Sequence, residues 1–248
     1  MRSTLVLSVA ALLAAAAPAE AQFTATATPD RAGKAATVSF NLGALEAPVN
    51  GRIPRSMTIS AAGGFAINPK AIPKRCTQEE ATLQPPDCPA DSKIGTGSIA
   101  VIVTIPGKAP RPATFPITIY RAPANGVYAL MFIEGYKAVP ATISTSGGLS
   151  LAFNPLPTVS TFGGLFTVTV QSISVSLGGS IVVATRKRVR GTGHGKHKRK
   201  AHFVTKRTRY NILSNPSHCG GNWPATFTLG FPDGSSTTLN AAIACTSK

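Results

Sequence analysis

Ile117-Thr118-Ile119-Tyr120-Arg121-Ala122-Pro123-Ala124-Asn125-Gly126-Val127-Tyr128-Ala129-Leu130-Met131-Phe132 reads as two short strands around a turn. β-Branched and aromatic residues fill both arms, and Asn125-Gly126 favours the positive φ angles of a tight antiparallel hairpin. The expected pairing sets Ile117–Arg121 against Val127–Phe132. The same punctuation recurs outward from this stretch. Pro232-Asp233-Gly234 separates Phe227–Phe231 from Ser236–Leu239, and Ser146-Gly147-Gly148 separates two further short runs.

Between such turns the chain is rich in Thr, Val, Ile, Ser and Gly, the composition of short strands. Candidate strands are Ala36–Phe40, Ser56–Ser60, Ser98–Ile105, Thr114–Tyr120, Val127–Glu134, Ala141–Thr145, Leu149–Phe153, Leu165–Leu177, Ser180–Thr185, Arg209–Leu213, Ala225–Phe231 and Ser236–Ala244. Leu165–Leu177 changes parity: Phe166, Val168 and Val170 share one face, and Ile173, Val175 and Leu177 share the other. A bulge near Gln171-Ser172, or a switch of sheet there, keeps both sets on the core side. Helical periodicity is scarce. Thr77-Gln78-Glu79-Glu80 has the form of a capping box, with Pro85-Pro86 to stop the turn. The expected fold is all-β: an antiparallel β-sandwich, one large or two fused, Greek-key-like, with one short helical turn.

The first 21 residues carry Arg2, an apolar run from Leu5 to Ala17, and Ala19-Glu20-Ala21 before Gln22. That is the pattern of a secretory signal peptide, and the run is short for a membrane span. The expected mature chain is 22–248, with no transmembrane segment, no lipid-bearing Cys after the cleavage point and no sorting motif at Ala244–Lys248. The expected location is extracellular or at the cell envelope. Cys76, Cys88, Cys219 and Cys245 make an even count in an exported chain, which favours disulfides. Three connectivities are open. Cys76–Cys88 with Cys219–Cys245 is the expected one, because each pair brackets a compact segment. The C-x2-C spacing of a four-Cys zinc site is absent.

The formal net charge is +16, and most of it is local. Residues 186–209 hold eleven Lys/Arg, three His and no acid. Cations fall on both alternating faces of both arms, so neither face can be buried, and the segment must project into water as a ribbon or loop. Arg186, Lys187, Arg188, Arg190, Lys196, Lys198, Arg199 and Lys200 are the candidate contacts for a polyanion: teichoic acid, acidic glycan, lipopolysaccharide or DNA. Clustered cations bind such polymers by counterion release, without sequence information. No aromatic is interleaved in the run, so base stacking is not expected. The bland alternative is a solvated loop with no dedicated partner. His194, His197 and His202 lack a Cys or carboxylate beside them and sit among cations, so no metal site and no cofactor are expected.

Catalysis finds little support. Every His lies between 194 and 218, mostly in the basic run, so a Ser nucleophile lacks an evident base. Glu46 and Glu134 are the only tempting carboxylate pair for glycosidase chemistry. Ser146-Gly147-Gly148 and Gly95-Thr96-Gly97 lack the strand-to-helix context of a nucleophile elbow or phosphate loop.

Two clusters carry a resemblance: Cys76…Cys88-Pro89…Ser92-Lys93-Ile94-Gly95-Thr96-Gly97, and Asn215-Pro216-Ser217-His218-Cys219 with Thr226–Leu229, Asp233-Gly234 and Cys245. Together they resemble uncharacterised exported β-rich, Cys-paired proteins of high-GC actinobacteria. The resemblance covers roughly a quarter of the residues directly. It implies the architecture and no chemistry. The expectation for function is an exported, non-enzymatic structural or adhesive protein of the cell envelope or extracellular space. The alternative is a polyanion-binding module acting through 186–209, and a weaker one is a carbohydrate-active enzyme.

Overall fold

A computed structural model of the chain describes residues 22–43, 54–61, 63–132, 136–146, 148–156, 167–189 and 202–247. The signal-peptide expectation over 1–21 lies outside these residues, as do Glu46 and Glu134. The strands in chain order are β1 (Gln22–Thr28), β2 (Thr37–Gly43), β3 (Ser56–Ala61), β4 (Ala66–Ile67), β5 (Lys93–Thr104), β6 (Arg111–Arg121), β7 (Gly126–Phe132) and β8 (Tyr136–Ser144). They continue with β9 (Leu149–Phe153), β10 (Thr167–Gly178), β11 (Ser180–Val189), β12 (His202–Asn211), β13 (Leu213–Ser214), β14 (Asn222–Gly230) and β15 (Ser236–Ala244). One short helix, α1 (Gln78–Thr82), lies between the 3-10 turns Pro69–Ala71 and Ala90–Ser92.

Eleven strands form one sheet in the order β1-β2-β10-β5-β6-β7-β8-β9-β3-β14-β15. Every strand pairing among the described residues is antiparallel. The fold is therefore all-β, and the two faces of its core belong to one continuous sheet that curls on itself. Period-two alternation drives the curl. Phe23, Ala25 and Ala27 of β1, Val38, Phe40 and Leu42 of β2, and Trp223, Ala225, Phe227 and Leu229 of β14 all turn inward and are buried. The Phe23 ring stacks on Phe40 at 6.3 Å and meets Phe227 from the other end of the sheet at 5.8 Å. Just beyond the strand ends, Ala32 N–H donates to the Thr246 carbonyl (3.1 Å) and Thr246 N–H to the Asp30 carbonyl (2.9 Å), joining first strand to last.

The hairpin around Pro123–Gly126 forms in the expected register, Ile117 opposite Met131 and Arg121 opposite Val127. Its positive φ angles fall on Ala124 (50°) and Asn125 (59°), one residue earlier than expected. Gly126 already belongs to β7, paired with Thr142, and its N–H closes the turn onto Pro123 O at 2.8 Å. The bulge in β10 lies between Val170 and Ser172, where the parity change placed it. Beyond it Val175 and Leu177 are buried, while Val170 and Ile173 pack at the margin of the core. β1 had no counterpart among the candidate strands, because its Ala/Thr-rich run continues the alanine-rich segment before it.

Outside the curl, Cys76, Ala81 and Leu130 form a second small cluster with Cys88, Tyr120, Tyr128 and Ala138. The Cys76–Cys88 disulfide and α1 thus cover the outer face of β6, β7 and β8. The helix has its capping box: Thr77 Oγ1 accepts from Glu80 N–H (3.2 Å), and Glu80 Oε2 accepts from Thr77 N–H (2.7 Å). It ends at Thr82, before Pro85. The second disulfide joins Cys219 to Cys245, so both bonds follow the expected pairing. Among the described residues, no helix is long and apolar enough to cross a membrane.

Candidate anion-binding ribbon

β11 and β12 leave the curled sheet and form a sheet of their own. Gly178 and Gly179 make the exit possible, with φ of 115° and 89°. A side chain at Gly178 would also collide with the Ala36 carbonyl oxygen, so the turn admits only glycine there. The ribbon pairs in continuous register from Ser180 opposite Asn211 to Val189 opposite His202. Its base is seated on the body: Ile212 N–H donates to Gly179 O (2.9 Å), and Ile181 and Tyr210 pack against the core. Both strands also lie against the Pro69–Ala71 turn.

The two faces of the ribbon differ. One carries Ile181, Val183, Thr208 and Tyr210, all half-buried, and then Thr185, Lys206, Lys187 and Val204 toward the outer end. On the other, every residue from Ser180 to Arg188 and from Phe203 to Asn211 is exposed. That outer face holds four arginines in four consecutive rows: Val182 opposite Arg209, Ala184 opposite Arg207, Arg186 opposite Thr205, and Arg188 opposite Phe203. No row has two cations facing each other, which avoids the costliest like-charge arrangement in a sheet. Rows two residues apart are about 6.8 Å from one another, so the backbone positions of the four arginines span about 20 Å along the ribbon. Neighbours therefore stand within a Debye length of roughly 8–10 Å and reinforce one another's field.

Several contacts set the arginines. Arg209 Nε donates to Ser180 Oγ at 2.8 Å, fixing the innermost guanidinium at the ribbon's base. The Arg186 guanidinium lies 4.3 Å from the centre of the Phe203 ring, on the diagonal across the strands. Phe203 itself stays exposed.

Of the candidate contacts read from the sequence, Arg186 and Arg188 lie on the outer face and Lys187 on the opposite one. Arg190, Lys196, Lys198, Arg199 and Lys200 lie outside the described residues, as do His194 and His197. Arg207 and Arg209 had not been singled out. The β11–β12 register brings them onto the same face as Arg186 and Arg188, and they complete the file.

Compared with known proteins, the chain matches no family model, no curated protein and no solved structure.

A second cationic pair lies at the Cys76 side. Arg121 is pushed below the usual guanidinium pKa by burial and then by the nearby charge of Arg75. One of its terminal nitrogens donates to Asn125 Oδ1 at 2.9 Å, and its backbone carbonyl accepts from Cys76 N–H at 2.8 Å. Arg75 donates to the carbonyls of Ile72 and Lys74. These bonds tie the disulfide loop to the hairpin and give the pair a structural use. Inside the sheet, a small cavity is lined by Ile67, Ile94, Ile143, Leu149, Leu177 and Leu213, all apolar.

Proposed function

We propose that the chain is an exported, non-enzymatic adhesive protein that holds an anionic polymer of the cell envelope through the β11–β12 ribbon. The carrying observation is the outer face of that ribbon, exposed along its whole described length, with four arginines and no acid anywhere in 180–211. A solvated charged surface in a small domain ordinarily mixes both signs. One sign on one projecting element concentrates a field that draws polyanions and displaces their counterions. Export is supported by the Leu5–Ala17 run with Ala19-Glu20-Ala21, and by two disulfides, which persist in oxidising compartments.

The test is salt-gradient retention of residues 22–248 on immobilised heparin and on phosphocellulose. The comparison is a variant with R186Q, R188Q, R207Q, R209Q, K187Q and K206Q together. The slope of log affinity against log salt should fall by about 0.7–0.9 for each cation that contacts the polymer. Retention of the variant at the wild-type salt concentration would show that the described β11–β12 cations are not the contact.

A further inference from the structure

We propose that the contact is confined to the outer, arginine face, and that its occupant is a single extended polyol-phosphate chain, gripped by one guanidinium per phosphate. This rests on the proposed polyanion contact and narrows it. Three observations carry it.

The first is the segregation of residue types. All four described arginines of the ribbon lie on one face, and both described lysines, Lys187 and Lys206, lie on the other. A mere need for positive charge would not sort them. The guanidinium presents a rigid fork of donors that matches two oxygens of a phosphate, whereas the ammonium of lysine acts as a point charge. The arginine face is the one turned from the body, while the other begins with half-buried residues at its base.

The second is the single file. One arginine per row, at about 6.8 Å, is the repeat of two polypeptide residues, which is six backbone bonds. A glycerol phosphate repeat also contains six backbone bonds from phosphorus to phosphorus, so when extended it advances by about 7 Å, as two residues of chain do. Four successive phosphates can then meet Arg209, Arg207, Arg186 and Arg188 in order, with one sideways step where the file passes from β12 to β11, a diagonal of about 7–8 Å. A polymer with paired or closer charges would leave some of them unmatched.

The third concerns what the face lacks. A nucleic acid strand has the same six-bond phosphodiester repeat, but its bases need stacking platforms. The face has one described aromatic side chain, Phe203, against four arginine rows, and the Arg186 guanidinium already lies over its ring. The opposing positions Val182, Ala184 and Thr205 carry no ring. The face therefore suits a backbone that carries hydroxyls in place of bases.

The experiment measures binding of residues 22–248 to immobilised poly(glycerol phosphate) at fixed salt, with three proteins compared. The all-lysine face, R186K, R188K, R207K and R209K, keeps every charge and loses every fork. K187Q with K206Q removes charge from the opposite face only. R188Q with R207Q removes the same amount from the outer face. The proposal expects about a tenfold or greater loss for the all-lysine face. It expects a larger loss for the outer-face glutamine pair than for the inner one. Oligothymidylate and poly-L-glutamate, at matched charge concentration, should compete at least about tenfold less well than free poly(glycerol phosphate). Equal binding by the all-lysine face, or equal losses from the two faces, would overturn the arginine-face contact. Equal competition by oligothymidylate would overturn the polyol phosphate as occupant. If the wild-type chain is retained on no polyanion at all, the broader proposal falls. If it is retained but is indifferent to the arginine-to-lysine exchange, only this inference falls. Lysine replacements at exposed strand positions leave the fold intact, which an unchanged thermal melt verifies.

Discussion

Removing Phe227 and Phe23, singly and together, tests whether the two ends of the sheet close over one core. Phe227 is only 1% exposed, lies in the middle of β14, and is flanked by β3 and β15. Truncation to Ala should cost about 3–5 kcal/mol, from lost transfer energy and the cavity left behind. Phe23 sits on β1 at the far end of the sheet and is 8% exposed, so its site can relax, and Phe23→Ala should fall near the low end of the same range, about 3 kcal/mol. The rings meet at 5.8 Å and 41°, within the range of favourable aromatic pairs. Such pairs add about 0.5–1.5 kcal/mol beyond area, so the double variant should lose less than the sum of the singles by that amount. Urea unfolding with disulfides intact, followed by Trp223 fluorescence, supplies the four free energies. Phe23→Leu and Phe227→Leu serve in place of the alanines if the double Ala variant is too unstable. Leu130→Ala is the control partner, because Leu130 belongs to the cluster on the outside of the sheet, and it should add to Phe227→Ala within about 0.5 kcal/mol. Additivity of Phe23 and Phe227 would mean that β1 does not face β14, and the curled sheet would be the wrong architecture.

Three further outcomes follow from the structure. Replacing the Cys219–Cys245 pair by Ser should cost more stability than replacing Cys76–Cys88, since the loops span 26 and 12 residues; the chain-entropy relation gives about 3.5 against about 2.8 kcal/mol, and thermal melts of both variants rank them. Gly97→Ala should lower stability by about 1–3 kcal/mol, or roughly 3–10 °C in the melting temperature, because a methyl there would overlap the Ser174 carbonyl oxygen of β10; an unchanged melt would mean the two strands are further apart than described. Excision of residues 186–202 with a short Gly linker should leave the melting temperature within a few degrees, because the seat of the ribbon at Ile181, Tyr210 and Ile212 remains, while strongly weakening salt-sensitive retention on polyanions, since of the file only Arg207 and Arg209 are left; a collapsed near-ultraviolet spectrum would show the ribbon to be integral to the fold.

What could be read from the sequence was local. The Asn125-Gly126 signal, the parity change at Gln171-Ser172 and the Thr77–Glu80 box each depend on neighbours within a few residues, and each has its counterpart in the structure. The disulfide partners were legible for the same reason, since each pair brackets a short loop. The sheet order was not. β3 lies between β9 and β14, and β10 between β2 and β5, neighbours that only the completed packing selects. The site was half legible. A run of like charge announces a solvated segment, and Arg186 and Arg188 stand in it plainly. Their alignment with Arg207 and Arg209 depends on a register about twenty residues away, and a slip by one residue would have put the two arginine pairs on opposite faces.

The junction at Gly178-Gly179 and Ile212 also decides how the protein meets mechanical load. A pull on the outer end of the ribbon travels along two covalent strands at once, so it need not unzip the bonds between β11 and β12. On one side it enters β10 lengthwise. That strand is flanked through its length by β5 and near its end by β2, so their ladder bonds resist together in shear. On the other side it passes through β13 to Asn215, whose side-chain amide donates to the carbonyls of Pro29 (2.7 Å) and Arg31 (3.0 Å). Tension arriving at the ribbon is thus divided between the middle of the sheet and the seam where its ends meet.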